Sequence, residues 1–204
     1  MIAAAAVAIA LALAGAPVAN TQKAVFAGGC FWGVEGVFEH VKGVVRVTSG
    51  YAGGALASPS YEQVGSGTTG HAESVEIVFD PSKITYRKLL EIFFSVAHDP
   101  TELNHQGPDW GPEYRSAVFY GDAEQKREVE SYVAELTQKN VFDQPIVTEL
   151  APLKAFYPAE EYHQDFMARH PLYPYIVIND RPKVEALKRR FPELYREPSQ
   201  TATR

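Results

Sequence analysis

The sequence predicts an α+β domain in which helices flank a mixed β-sheet, and three observations lead there. Strand-like alternation and helical periodicity interleave irregularly along the chain, not in a regular strand–helix repeat. At least one strand pair is hairpin-like. There is no internal repeat, and no linker long enough to divide 204 residues into two domains. The expected architecture is a two-layer sandwich of ferredoxin-like kind over residues 21–196. Composition agrees: 46% apolar, 22% charged and 12% aromatic residues can bury one core and exclude a disordered or collagen-like chain. A net charge of -6 leaves no basic stripe to neutralise phosphates, so nucleic acid is not an expected partner.

The elements follow in order. Residues 1–20 carry no charged side chain and 17 of them are apolar, closing on Gly15-Ala16-Pro17-Val18-Ala19. This reads as a signal peptide, which makes the protein periplasmic or secreted. The lack of Lys or Arg near Met1 leaves a membrane-anchored or cytoplasmic protein as the alternative. Residues 21–27 have strand character and end at Gly28-Gly29. Residues 30–41 place Phe31, Val34, Phe38 and Val41 at helical spacing, Gly43 turns the chain, and 44–51 are rich in β formers. Residues 52–70, full of Gly, Ser and Thr, form an expected long surface loop. Residues 71–79 alternate as a strand, and 85–97 form an amphipathic helix through Leu89, Leu90, Phe93, Phe94 and Ala97. Residues 100–114, with three prolines and two glycines, form a second loop. A strand at 116–120 is followed by Asp122 as N-cap, with Gln125 three residues on, of a helix ending near Asn140. The remainder reads as a strand at 146–150, a short helix at 158–169, a strand at 176–178, a basic helix at 182–190 and a disordered tail at 197–204.

The chain has one cysteine, which rules out an internal disulfide or a Cys-rich zinc site. Cys30 directly follows a Gly-Gly turn and opens a helix, where unpaired N–H groups and the helix dipole stabilise a thiolate. A buried structural cysteine is the plain alternative for a lone Cys. Phe31 and Trp32 suggest a small apolar pocket beside the sulfur, though Phe31 alone is equally a core residue. In the strand 71–79, Glu73 shares parity with Val75, Ile77 and Phe79, so its carboxyl points to the apolar side and its pKa should rise, as a general acid needs. The alternative is a strand end where Glu73 emerges into solvent. The proline-stiffened loop running from Asn104 to Ser116, and Tyr61 in the earlier loop, add hydrogen-bonding groups suited to binding.

Gly29-Cys30-Phe31-Trp32-Gly33-Val34-Glu35 resembles the active-site signature of peptide methionine sulfoxide reductase A. The resemblance continues through Gly50-Tyr51-Ala52-Gly53-Gly54, Gly67-Thr68-Thr69-Gly70-His71-Ala72-Glu73, the loop from Gln106 to Ser116, and Glu161-Tyr162-His163-Gln164-Asp165. It implies that Cys30 attacks the sulfoxide sulfur and that Glu73 delivers a proton to its oxygen. Tyr61 and Tyr114 would hydrogen-bond that oxygen, Asp109 would lie beside the substrate backbone, and Phe31 and Trp32 would hold the S-methyl group. A sulfoxide oxygen leaves poorly until protonated, so a neutral acid and phenols suit the transition state. The implied substrates are the S epimer of methionine sulfoxide, free and in oxidised proteins and peptides, and the implied product on the enzyme is Cys30 sulfenic acid. Many members carry recycling cysteines near the C-terminus; this chain has none, so an external thiol is expected, whether thioredoxin-like, glutaredoxin-like or of low molecular weight. No cofactor or metal is expected, and a monomer is.

Two other chemistries are conceivable. Glu102-x-x-His105 and Glu160-x-x-His163 match the pair count of a di-iron bundle, but the first lies between prolines and the chain contains several strands. A Cys–His hydrolase would use His71, His98 or His163 as base. A non-catalytic methionine-binding module is the alternative from outside enzymology.

Overall fold

The computed structural model describes residues 20–197, so the expected leader and tail lie outside the described residues except for Asn20 and Glu197. At its centre is a strand that repays the glycine turn following it. Strand β1 (Gln22–Gly28) pairs antiparallel with β3 (Ala72–Phe79) on one side and β6 (Ser116–Tyr120) on the other. Beyond β3 lie β2 (Val44–Ala52) and the short β8 (Phe156–Pro158), both antiparallel. Beyond β6 lies β7 (Glu149–Pro152), the one parallel neighbour, reached by the crossover helix α4 (Ala123–Gln138). The order β7-β6-β1-β3-β2-β8 makes a six-stranded mixed sheet within an α+β fold.

Alternation along β1 sends its side chains to two different cores. Ala24 and Phe26 enter the large cluster built with residues of α1 (Phe31–Glu39), α3 (Tyr86–Ile92), α4 and α6 (Arg181–Arg190). There Phe26 stacks on Phe93 at 4.8 Å between ring centroids. Each such ring removed from water stabilises the fold by roughly 1.5–3 kcal/mol. Val25 and Ala27 face the opposite way, into a thin layer of Ala52, Ala72, Ala117 and Phe119 covered by Ala151, Leu153 and Phe156. Asp122 caps α4 as read from sequence, accepting from the Glu124 and Gln125 N–H groups at 2.8 Å each. The Gln125 side chain, however, reaches out to Gly121 N–H and Lys23 C=O instead of closing a capping box.

Several expectations are corrected. The loop 52–70 contains a short helix α2 (Tyr61–Gly65), nucleated by a capping box in which Ser60 and Gln63 satisfy each other's backbone N–H. The helix 85–97 is α only to Ile92 and then widens into a π turn, Phe93–Ala97. The loop 100–114 holds a tight hairpin of β4 (His105–Gln106) and β5 (Asp109–Trp110). The strand expected at 146–150 begins at Glu149, because Val147 N–H is taken by Pro100 C=O at 2.8 Å. Residues 158–169 are not one helix: Gln164 is extended and Asp165 is left-handed (φ 52°), leaving a 3₁₀ turn, Glu161–His163, and a single turn α5 (Phe166–Arg169). The β-branched triplet at 176–178 is helical, a π turn Ile176–Asp180 that runs on into α6. There continuity with the following helix overrides β propensity.

Candidate active site

Cys30 is the N-cap of α1, whose first helical residue is Phe31, one position later than the helix start read from sequence, and it is only 8% exposed. Two glycines set it there. Gly29 has φ 84°, and a Cβ on it would lie 2.5 Å from the Gln106 side chain, so only glycine fits. Gln106 is itself fixed, accepting from Asp99 N–H at 2.8 Å and donating to Asp99 C=O at 2.9 Å. The hairpin loop and the cysteine turn are thereby locked together. The helix N-terminus was expected to favour a thiolate. In the free protein it does not: burial, then the nearby Glu73 and Asp180 carboxyls, push the Cys30 thiol up, outweighing the Trp32 N–H and the Lys183 ammonium that pull it down.

Glu73 lies on the apolar side of β3, as alternation predicts, at 3% exposure beside the fully buried Val75 and Ile77. Its carboxyl accepts from the Phe31 N–H at 3.0 Å, which ties it to the residue next to Cys30. Burial, reinforced by Asp109, Glu113 and Asp180, pushes Glu73 up to about 8 despite that bond. At neutral pH the site therefore presents a neutral thiol and a neutral carboxylic acid against the same helix turn.

The apolar wall is aromatic. Phe31 is buried, its ring 5.0 Å from His163 and 6.0 Å from Tyr51. Trp32 is half-buried; it lies flat on Phe166 at 3.8 Å, meets Tyr175 edge-on at 6.0 Å, and donates its indole N–H to His163 Nδ1 at 3.2 Å. His163 is 2% exposed and packs on Tyr61 at 4.4 Å. Tyr61 opens α2, its N–H held by Glu160 at 2.9 Å, and Glu160 also accepts from the Tyr51 hydroxyl at 2.8 Å.

The phenols share one electrostatic field. Burial and then Glu73 push Tyr61 up to about 12, and the same two causes raise Tyr114, at the end of the turn Pro112–Tyr114, further still. Both are firm proton-bearing donors. Asp109, on β5, accepts a hydrogen bond from the Tyr175 hydroxyl. All seven sequence-chosen residues are thus brought into one region by α1, α2, β3 and the hairpin loop. Sequence reasoning missed Phe166, Tyr175, Asp180 and Lys183. Asp180 is fully buried against Gly33, where a Cβ would meet its Oδ1 at 2.2 Å and Lys183 Nζ at 2.9 Å. Burial raises Asp180 to about 6, Lys183 drawing it back. The available signals were the aromatic spacing of Tyr173 and Tyr175 and the acid–base spacing of Asp180 and Lys183.

The rival chemistries find no matching geometry. His71 is held by Gly54 N–H and Leu56 C=O, His98 by Phe93 C=O and Ser116, and His163 by Trp32. Glu160 serves the two tyrosine residues described above. Among the described residues, one group of ligating side chains lies close enough together for a metal ion: Glu35, Glu39 and Asp165, outside the cup.

A solitary thiol, a neutral acid and phenol donors around an aromatic cup define a thiol-dependent oxidoreductase. The model of the family described as peptide methionine sulfoxide reductase matches residues 22–194, and the chain belongs to that family. It is 58% identical over 87% of its length, and 91% of the relative's, to "Peptide methionine sulfoxide reductase MsrA 2" of Mesorhizobium japonicum. To the protein of the same description from Synechocystis sp. it is 51% identical, over 84% of this chain and 80% of the other. Among solved structures it is similar to reduced Mxr1 from Saccharomyces cerevisiae (TM-score 0.71, 35% identity, 76% of this chain and 89% of that one). Methionine sulfoxide reductase A of Corynebacterium diphtheriae is comparable (TM-score 0.67, 34% identity, 78% of each chain). Mxr1 in complex with Trx2 also matches (TM-score 0.52, 26% identity, 76% of this chain and 91% of that one). The activity is the reduction of methionine sulfoxide.

Proposed function

We propose that the chain reduces the S epimer of free and peptide-bound methionine sulfoxide through Cys30 sulfenic acid. The observation that carries this is the placement of Cys30 and a protonated Glu73 against one buried turn, joined through the Phe31 N–H at 3.0 Å. The S-methyl group enters between Phe31 and Trp32, and Asp109 sits beside the substrate backbone. Tyr61 and Tyr114 donate to the sulfoxide oxygen, whose growing negative charge Glu73 neutralises with a proton. As the sulfoxide sulfur takes electron density from Cys30 Sγ, the thiol proton replaces the one that Glu73 has given to the oxygen. Overall, sulfoxide plus thiol gives thioether plus sulfenic acid: the substrate sulfur is reduced by two electrons and Cys30 oxidised by two. Two external thiol equivalents then restore Cys30, releasing water and a disulfide. The Mxr1–Trx2 complex supports a thioredoxin-type donor here, and glutaredoxin-like or small thiols fit the same chemistry.

The decisive experiment is a reductant-free incubation with methionine sulfoxide peptide. One equivalent of methionine per protein, with a mass gain of one oxygen on Cys30, is expected; binding without any product would leave only a binding module.

We further read residues 1–20 as an export signal and 21–196 as the catalytic domain; the charge-free, alanine-rich leader supports this, and N-terminal sequencing of the expressed protein tests it. A monomer fits a site drawn wholly from one chain, and light scattering checks it. For the fold, the order β6-β1-β3-β2 with α1 and α3 as connections supports the ferredoxin-like, two-layer description of the central strands.

A further inference from the structure

Helix α1 buries a second acidic group that sulfoxide reduction does not use. Glu35 and Glu39, four residues apart, share a helical face. Their carboxylates converge with that of Asp165, with one oxygen of each within 4.8 Å of the others. Glu35 is 1% exposed, yet neither of its oxygens has a hydrogen-bond partner among the described residues. The hydroxyl of Ser49, itself 0% exposed, faces the same carboxyl and is likewise without a partner. Buried polar groups are rarely left in this state, so a buried carboxyl and the hydroxyl facing it, both without a well-formed hydrogen bond, point to something that belongs beside them. The neighbouring cations do not fill the role. Arg169 is 3.7 Å from Asp165 and makes its closer contact, 3.1 Å, with Glu161. Arg196 donates to the Glu39 backbone carbonyl at 3.1 Å.

We propose that Glu35, Glu39 and Asp165, with the Ser49 hydroxyl, form a binding site for one hard divalent cation of about calcium size. The donors are all oxygen, which selects against soft metals and suits Ca²⁺ or Mn²⁺. Calcium–oxygen bonds of about 2.3–2.6 Å set opposite ligands roughly 4.6–5.2 Å apart, which accommodates the observed spread of the carboxylates. The Asp165 side chain is 34% exposed, so ion and water enter from its side. The left-handed backbone at Asp165 (φ 52°), which Asp tolerates better than most residues, brings that carboxylate to the group. The next residue is Phe166, whose ring lies on Trp32. A cation here fastens to α1 the segment that supports the wall of the substrate cup. The single cysteine and the Glu-x-x-His pairs, which argue against a metal, do not bear on an all-oxygen group such as this one.

The test uses the full chain, stripped with EDTA, titrated calorimetrically with CaCl₂ alone and MnCl₂ alone, with thermal unfolding at saturation. One cation per chain is expected from at least one titration, with Tm rising by about 4 °C or more. Glu35→Gln and Glu39→Gln should each weaken binding about tenfold or more while remaining folded by circular dichroism. If Glu35→Gln fails to fold, the less buried Glu39→Gln decides. Absence of saturable binding of either ion overturns the proposal in favour of carboxyls that merely share protons. Unchanged affinity in both folded variants overturns it in favour of an ion bound elsewhere.

Discussion

The two ends of α1 set the same physical problem and meet it differently. At the N-terminal end, Glu73 is desolvated beside Cys30 but keeps one backbone donor and lies next to a cup built from aromatic rings and phenols. Toward the C-terminal end, Glu35 is desolvated as deeply, with burial pushing it too to about 8, but it faces Glu39 and Asp165 and an idle hydroxyl. Burial alone therefore does not make an acid catalytic. In the proposed reaction the raised proton affinity of Glu73 sits where a substrate oxygen needs a proton; at Glu35 the surroundings are carboxylates, and the chemistry they suit is charge neutralisation.

Variants can break or sharpen this contrast. The largest effect is expected for Cys30→Ser, which should lower single-turnover methionine formation by more than about 10⁴-fold, since a hydroxyl cannot take the sulfur's place as nucleophile; appreciable product would remove Cys30 from the reaction. Glu73→Gln should slow the same step by about 10²–10⁴-fold. In the wild type the rate should fall as pH rises through about 8, where Glu73 loses its proton. A fall that survives in Glu73→Gln would assign the proton to another group. Gly29→Ala should cost roughly 2–4 kcal/mol in urea unfolding, from the left-handed backbone and overpacking against Gln106; a smaller loss would mean the hairpin loop yields easily.

The smallest effect belongs to the other end. Glu35 holds its proton more tightly folded than unfolded, so its contribution is fully present below about 4.5 and is lost as pH rises through about 8. Glu73 contributes in the same direction over the same window. Each group adds at most about 1.4 kcal/mol per pH unit of negative slope. Glu35→Gln should flatten the stability-versus-pH curve in metal-free buffer, and an unchanged slope would show that Glu35 does not titrate in this range.

Much of the active end was legible in sequence because its signals are local. Gly28-Gly29 before Cys30 marks a turn, and the parity of Glu73 with Val75, Ile77 and Phe79 marks a face. The other half of the cup was not. Gln164 and Asp165 look helical, but an extended residue and a left-handed one break the segment and swing Phe166 against Trp32. Ile176-Val177-Ile178 looks like a strand, but its backbone continues into α6 and so positions Tyr175 and Asp180. The expected thiolate failed for a related reason: a helix terminus is visible in sequence, whereas the carboxyls that converge on it from β3 and from the segment before α6 are not.

The Trp32–His163 hydrogen bond joins residues 131 positions apart, and Tyr175 lies further along still. At ribosomal rates of about 5–20 residues per second, roughly 7–30 s separate the emergence of Cys30 from that of Tyr175. Throughout that interval the nascent chain carries a thiol with neither its aromatic shield nor its acid-lined pocket. The completed fold does more than assemble a catalyst: it ends a period in which the enzyme's one thiol is open to the oxidants whose damage it repairs.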